Sequence, residues 1–268
     1  MHAIKHFLLA LQFFSRIPVT GKFAAWVGFN PEMQARSLGY FPLVGWLIGL
    51  LTAGAFLVLS FVLSVAPATP WIAALFSTLF GLLLTGALHE DGLADLVDGL
   101  GGSTSKEGAL EIMKDSRIGA YGVIALFGAL LAKVFLLAAL AEINIWLACL
   151  ALFSGHVISR LMPVWVVRLL PYVGNPTQSK SSAMVASNGV FWLALFWTLS
   201  ALALVFYFAP SYVWLGGLSV SLVGLIVMYR LISRRLGGYN GDALGAVQQI
   251  CELSFYFGTL VFVPIVPL

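Results

Sequence analysis

The chain has 268 residues, 60% of them hydrophobic and only 9% charged, with a mean hydropathy of +0.99 and a formal net charge of +3. Soluble globular domains are about 25% charged, so this composition excludes one and marks a polytopic membrane protein. The small, dispersed positive charge gives no nucleic-acid footprint. Two cysteines, Cys149 and Cys251, lie in apolar or helical surroundings and offer neither a disulfide framework nor a metal-ligand spacing.

In chain order, residues 4–14 are apolar but too short to cross a hydrocarbon core of about 30 Å. Ser15-Arg16-Ile17-Pro18 follows at once, with no small-x-small cleavage site, so the segment reads as an interfacial or bundle-packed helix rather than a signal peptide. Seven runs have the length and apolarity of membrane spans: 41–63, 71–88, 119–140, 145–167, 190–208, 212–232 and 250–266. No connection between them is long enough to bury a core of its own. Residues 1–268 therefore form a single integral-membrane domain, an all-α bundle of about seven spans.

The connections alternate in charge. Residues 1–40 carry Lys5, Arg16, Lys22 and Arg36, and the stretch after the second run carries Lys106, Lys114 and Arg117. Residues 168–189 carry Arg168 and Lys180, with Arg160 just inside the preceding run, and residues 230–249 carry Arg230, Arg234 and Arg235. The intervening turns have no lysine or arginine. The positive-inside rule then puts the N-terminus in the cytoplasm and the C-terminus outside. Lys133 stands inside the third run and must snorkel or find a partner within the bundle. Glycine pairs such as Gly45 and Gly49 suit close helix contact.

Seven of the 11 acidic residues fall between His89 and Gly122: Glu90, Asp91, Asp95, Asp98, Glu107, Glu111 and Asp115. On a helix, Asp91, Asp95 and Asp98 fall within an arc of roughly 60°. Like charges so placed repel, by at least a few tenths of about 1 kcal/mol per exposed pair. A divalent cation removes that cost, and carboxylate oxygens suit Mg²⁺, Mn²⁺ or Ca²⁺ better than zinc. Gly99, Gly101 and Gly102 end this helix, and a second one is expected from about Ser105 to Asp115. Lys114 and Arg117 are then placed to meet phosphate oxygens, as is Arg16.

A second polar cluster, Gly237 to Asp242, precedes an expected helix over 243–252. Asp242, Gln249 and Glu252 share roughly 80° of that helix. Alone it reads as a turn with a helix N-cap. Beside the aspartates it becomes the second half of a site, with Asp242 and Glu252 as further cation ligands.

Three motifs, His89-Glu90-Asp91-Gly92-Leu93-Ala94-Asp95, Asp98-Gly99-Leu100-Gly101-Gly102 and Glu111 to Gly119, resemble the cobalamin synthase family, adenosylcobinamide-GDP ribazoletransferase. The Phe13-to-Pro18 segment, Phe41-Pro42-x2-Gly45 and Gly-Asp-x2-Gly-Ala at 241–246 fit it too. Ser15 and Asn240 stand where threonine is expected. The resemblance covers the whole chain. It implies a Mg²⁺-dependent, multi-pass enzyme of the bacterial inner membrane with its site facing the cytoplasm. Its substrates would be adenosylcobinamide-GDP and α-ribazole or the 5′-phosphate of α-ribazole, and its by-product GMP.

In that reading Asp91, Asp95 and Asp98, with Asp242 and Glu252, hold the cation; Lys114, Arg117 and Arg16 hold phosphate; Glu90 joins the catalytic acids. Glu90, His89 and Asp115 all stand as candidates for the general base. A homo-oligomer stays open. Two alternatives compete. A CDP-alcohol phosphotransferase needs Asp-Gly-x2-Ala-Arg followed by Gly-x3-Asp-x3-Asp, which is missing here. A cation-coupled transporter would place its carboxylates mid-span.

Overall fold

The computed structural model describes residues 2–28, 31–64, 66–174, 186–209 and 211–264. These build an all-helical bundle; the one extended contact among them is an isolated bridge between Tyr172 and Tyr239. Three short helices, α1 (His2–Phe14), α2 (Gly21–Val27) and α3 (Pro31–Ser37), lead through a 3-10 turn at Leu38–Tyr40 into α4 (Phe41–Val62). Next come α5 (Thr69–Thr85), α6 (Leu88–Gly102), α7 (Lys106–Ile112) and α8 (Ala120–Ile143). The chain ends with α9 (Ile145–Leu169), α10 (Asn188–Phe208), α11 (Val213–Leu236) and α12 (Gly241–Val261).

Five helical stretches are long and apolar enough to cross a bilayer: Glu32–Val62, which contains α4, and helices α8, α9, α10 and α11. Counting α5 with α6 makes six. The outward faces of these helices carry Phe127, Leu199 and Tyr207, apolar surface that suits lipid. The seventh expected span falls on α12, which does not pass the same test of length and apolarity. Asp242, Gln248, Gln249 and Glu252 crowd its first half, and most of it is buried in the bundle. The end of that expected span lies outside the described residues, as does Lys180.

The buried pillar of the bundle is α9. Its approach to α4 depends on glycine: a Cβ at Gly45 would strike the His156 carbonyl oxygen, and one at Gly49 would lie 3.0 Å from Phe153 Cα. This is the packing use expected of the glycine pair. Cys149 and Cys251 are free and buried.

The site is positioned by a bend. Between α5 and α6 the chain turns by 89°. Gly86 (φ +67°) and Ala87 (φ +54°) both adopt left-handed backbone there. A non-glycine residue in that region costs roughly 1–2 kcal/mol. With four acidic residues in its 15, α6 runs crosswise to α5 and is not one of the five stretches that qualify as spans alone. Its far end is closed from α11, where Arg235 Nη2 donates to the carbonyls of Leu100 (3.1 Å) and Ser103 (2.6 Å). This satisfies carbonyls that a helix C-terminus leaves open.

Ser105 caps α7, its hydroxyl accepting from Gly108 N at 3.1 Å. The helix stops at Ile112, short of the expected Asp115. There the Asp115 side chain accepts the Arg117 amide (3.0 Å) and forms a turn instead.

Candidate active site

A cavity of about 510 Å³ lies among the end of α1, the α5–α6 bend, α9 and the first turn of α12. Phe14, Phe41, Leu38, Pro163 and Leu244 give it an apolar wall, and Arg16, His89, Asp91 and Asp242 a polar one. Arg16 is fixed by the bend: its amide donates to the Leu84 carbonyl (2.7 Å) and its side chain lies over Gly86, where a Cβ would collide with it.

Asp91 and Asp242 reach the same cavity because α6 and α12 cross at glycines. A Cβ at Gly92 would lie 2.7 Å from the Asp242 carbonyl oxygen and 2.9 Å from Asp242 Cα. One at Gly245 would meet His89 Cα at 3.2 Å. Asn240 caps α12 through Oδ1, which accepts from Ala243 N (2.9 Å), while its Nδ2 donates to Asp242 Oδ2 (3.0 Å). The N-cap expected at the glycine-rich turn is thus present, and it also aims the aspartate.

The electrostatics are those of crowded carboxylates. Burial, then repulsion from Asp242, Asp91 and Asp98, pushes Asp95 up to about 7. Burial and the charge of Asp91 push Asp242 up to about 6. Like charges held together in this way favour a proton or a cation. Among the described residues, no three Asp, Glu, His or Cys side chains converge closely enough to cage an ion unaided. Asp91, Asp95 and Asp242 nevertheless fit a Mg²⁺-type site, because that ion takes one or two carboxylates and leaves the remaining positions to water and substrate phosphate.

The cobalamin-5-phosphate synthase family matches residues 6–260. The chain belongs to that family. It is 49% identical to the adenosylcobinamide-GDP ribazoletransferase of Albidiferax ferrireducens, over 96% of this chain and 98% of that protein. Proteins of the same name from Polaromonas sp. JS666 and Leptothrix cholodnii are 45% and 41% identical. These alignments cover 96% and 97% of this chain, and 97% and 96% of the respective relatives. No solved structure matches. Membership of the cobalamin-5-phosphate synthase family makes the chain a membrane-embedded transferase of cobalamin biosynthesis, in place of the transporter and CDP-alcohol phosphotransferase alternatives.

Within this family member the expected site residues divide. Asp98 shares the α6 face with Asp91 and Asp95 but is buried, and both its oxygens are engaged. Oδ2 accepts from Gly119 N (2.7 Å) and Oδ1 from Gly122 N (2.8 Å), at the start of α8. A carboxylate there satisfies amides the helix leaves open and faces the positive end of its dipole. Asp98 thus caps α8.

Glu252 also has partners within the protein. Its Oε1 meets Lys133 Nζ (2.6 Å) and accepts from Tyr256 OH (2.7 Å), and its Oε2 accepts from Gln248 Nε2 (2.6 Å). It is the partner Lys133 requires, buried in the bundle. The network continues to α6: Gln249 Nε2 donates to Gln248 Oε1 (2.8 Å) and to Glu90 Oε1 (2.9 Å). Glu90 therefore faces the bundle interior and does not line the cavity.

Arg160 was grouped with the cytoplasmic cations, yet it is 1% exposed on α9. Its Nη1 donates to the His156 carbonyl (2.8 Å), and its guanidinium lies 5.6 Å from the Phe41 ring centre. The sequence signal for this network was visible as His156 and Arg160, four residues apart inside an apolar run.

Lys114 and Arg117 are exposed and line no part of the cavity. Arg117 is bound to Asp115, with Nη2 and Oδ2 at 2.6 Å, and hydrogen bonds from its side chain and amide pull Asp115 down to about 2. Of the three expected phosphate contacts, Arg16 alone lines the cavity. Of the three candidate bases, His89 alone does so.

Proposed function

We propose that this chain transfers the adenosylcobinamide-phosphate group from adenosylcobinamide-GDP to α-ribazole or the 5′-phosphate of α-ribazole, releasing GMP, with Mg²⁺ as cofactor. The names of its relatives supply the substrates. The observation that carries the reading is the meeting of Arg16, Asp91 and Asp242, from three distant parts of the chain, at one cavity. The lysines and arginines clustered on the same set of connections support a cavity facing the cytoplasm from a bacterial inner membrane.

A ribose hydroxyl of the acceptor forms a bond to the phosphorus nearer the corrinoid. The bond from that phosphorus to the bridging oxygen breaks, its electron pair leaves with GMP, and the hydroxyl proton passes to water. Asp91, Asp95 and Asp242 would hold Mg²⁺, which when bound would supply positive charge to the diphosphate and to the leaving phosphate. Arg16 takes phosphate oxygens and orients the donor for in-line displacement.

The test is turnover by the purified, reconstituted protein. GMP release should require both substrates, stop on chelation and return with Mg²⁺. Asp91→Ala should abolish it while the protein still inserts in membranes. Turnover indifferent to chelator, or wild-type rates from Asp91→Ala, would overturn the assignment.

A further inference from the structure

Asp91 meets Asp242 at the cavity because α6 and α12 cross at Gly92 and Gly245. Glycines allow close approach but offer no side chain to stop one helix rolling on the other. Side chains reach about 5–6 Å from a helix axis, so a roll of about 20° moves a carboxylate by about 2 Å. A misplacement of about 1 Å can cost about a hundredfold in rate.

The far end of α6 is held by Asp98 on the amides of α8 and by Arg235 on the Leu100 and Ser103 carbonyls. Its first turn is held through Glu90, whose Oε1 accepts from Gln249 Nε2 of α12 at 2.9 Å. Among the described residues Glu90 Oε2 has no hydrogen-bond partner, so Oε1 and Gln249 carry the contact. Asp91 follows Glu90 by one residue, about 100° around the helix, so the bond that holds Glu90 also sets the direction of Asp91. Gln249 lies seven residues beyond Asp242, about two turns along the same face of α12. One helix thus presents both the opposing acid and the clamp.

The direction of the Gln249 amide is set from deeper in the bundle. Its ion pair with Lys133 keeps Glu252 an acceptor. Glu252 Oε2 takes one hydrogen of Gln248 Nε2 (2.6 Å), and Ser159 Oγ on α9 takes the other (2.8 Å). Gln248 Oε1 is left to accept from Gln249 Nε2 (2.8 Å), and the second hydrogen of that amide goes to Glu90. Turning either amide over would set oxygen against oxygen. All of these side chains are buried, where such a clash is costly.

We infer that Gln249 is a positioning residue for the reaction. Through Glu90 it fixes the roll of α6, and with it the approach of Asp91 to Asp242; Lys133, Glu252 and Gln248 orient it. This rests on the reaction and the cation site proposed above.

The experiment uses the reconstituted full chain and reads two quantities. One is kcat for GMP release. The other is the Mg²⁺ concentration that half-saturates the rise in thermal midpoint without substrate. Gln249→Leu removes the donor, and Gln249→Asn keeps a buried amide but withdraws it by one methylene. Each should lower kcat about tenfold or more and raise the half-saturating Mg²⁺ about tenfold, with substrate KM values within about threefold. Glu90→Leu should do the same, and Glu90→Leu/Gln249→Leu should fall no further than either single variant. Glu90→Gln keeps an oxygen that accepts from Gln249 and should bring both quantities back to within about threefold of wild type. A contact of structural value only would lower the midpoint and leave the Mg²⁺ requirement of the folded protein unchanged; that result in Gln249→Asn overturns the inference. So does a Glu90→Gln protein as impaired as Glu90→Leu, because the carboxylate itself would then be in use. A misfolded Gln249→Leu does not spare the proposal, since Gln249→Asn and Glu90→Gln decide it. Wild-type protein whose midpoint ignores Mg²⁺, or that releases no GMP from both substrates, would instead overturn the cation site or the reaction.

Discussion

Lys133 Nζ and Glu252 Oε1 lie 2.6 Å apart, with the two side chains 6% and 1% exposed. An acid placed among the cation ligands by sequence is thereby the counter-ion of a lysine inside the bundle. Removing one partner of such a pair leaves a buried charge unmatched and costs about 3–5 kcal/mol. Lys133→Met and Glu252→Gln should therefore each lower the thermal midpoint in detergent, followed by tryptophan fluorescence. The double variant Lys133→Met/Glu252→Leu should recover most of the loss. A Glu252→Gln protein of normal stability that no longer binds Mg²⁺ would return Glu252 to the cation site.

The crossing at Gly92 predicts loss of activity with no charged group removed. Gly92→Ala drives a Cβ into the Asp242 backbone, so α6 and α12 must separate. Overpacking of this kind costs about 1–3 kcal/mol. It also parts Asp91 and Asp95 from Asp242, and kcat/KM should fall by about tenfold or more. Gly128→Ala is the control, since a Cβ there meets nothing within 4 Å. Equal activity from both variants would remove the crossing as the device that assembles the site.

Asp98 and Asp91 should separate stability from turnover. Asp98→Ala uncovers the amides of Gly119 and Gly122 and should cost about 1 kcal/mol of stability, within the range of about 0.5–2 for lost caps. Asp91 is exposed at the cavity edge, so Asp91→Ala should leave the thermal midpoint nearly unchanged and abolish GMP release. Unfolding curves and turnover on the same preparations decide it.

The acidic rim sets a pH dependence. Asp95, raised from 3.8 to about 7, and Asp242, raised to about 6, hold a proton more tightly folded than unfolded. Their contribution to stability is complete below the unfolded value and is lost as pH rises through the folded values. Without divalent cation, that contribution is therefore smaller at pH 8 than at pH 5. Since a cation binds the ionised form, Mg²⁺ should raise the midpoint more at pH 8 than at pH 5. An increment equal at the two pH values, or absent, would show that these carboxylates hold no cation.

Much of this protein was legible in order along the chain. Composition set the membrane class and the apolar helices, because lipid leaves little choice for a chain with so few charges. Ser105 was readable as a helix start and the turn from Gly237 to Asp242 as an N-cap, since capping involves neighbours three residues away. The three residues between Asp91 and Asp95 put both on one face of a helix whatever that helix packs against. The same rule grouped Asp98 with them correctly by face, yet said nothing of what covers that face.

By itself, then, the sequence determined the lipid-embedded helical class, the crowding of acids onto one helix and the chain's likeness to its family, all of which depend on residue type and local spacing. The tertiary structure alone decided which partners these acids meet. It turned Asp98 to the amides of α8, Glu252 to Lys133 and Glu90 to Gln249, and brought Arg16, Asp91 and Asp242 to one cavity. The reason is physical: helix periodicity fixes the direction of a side chain from its own axis. The partner in that direction depends on how closely two helices cross, here on glycines 92 and 245.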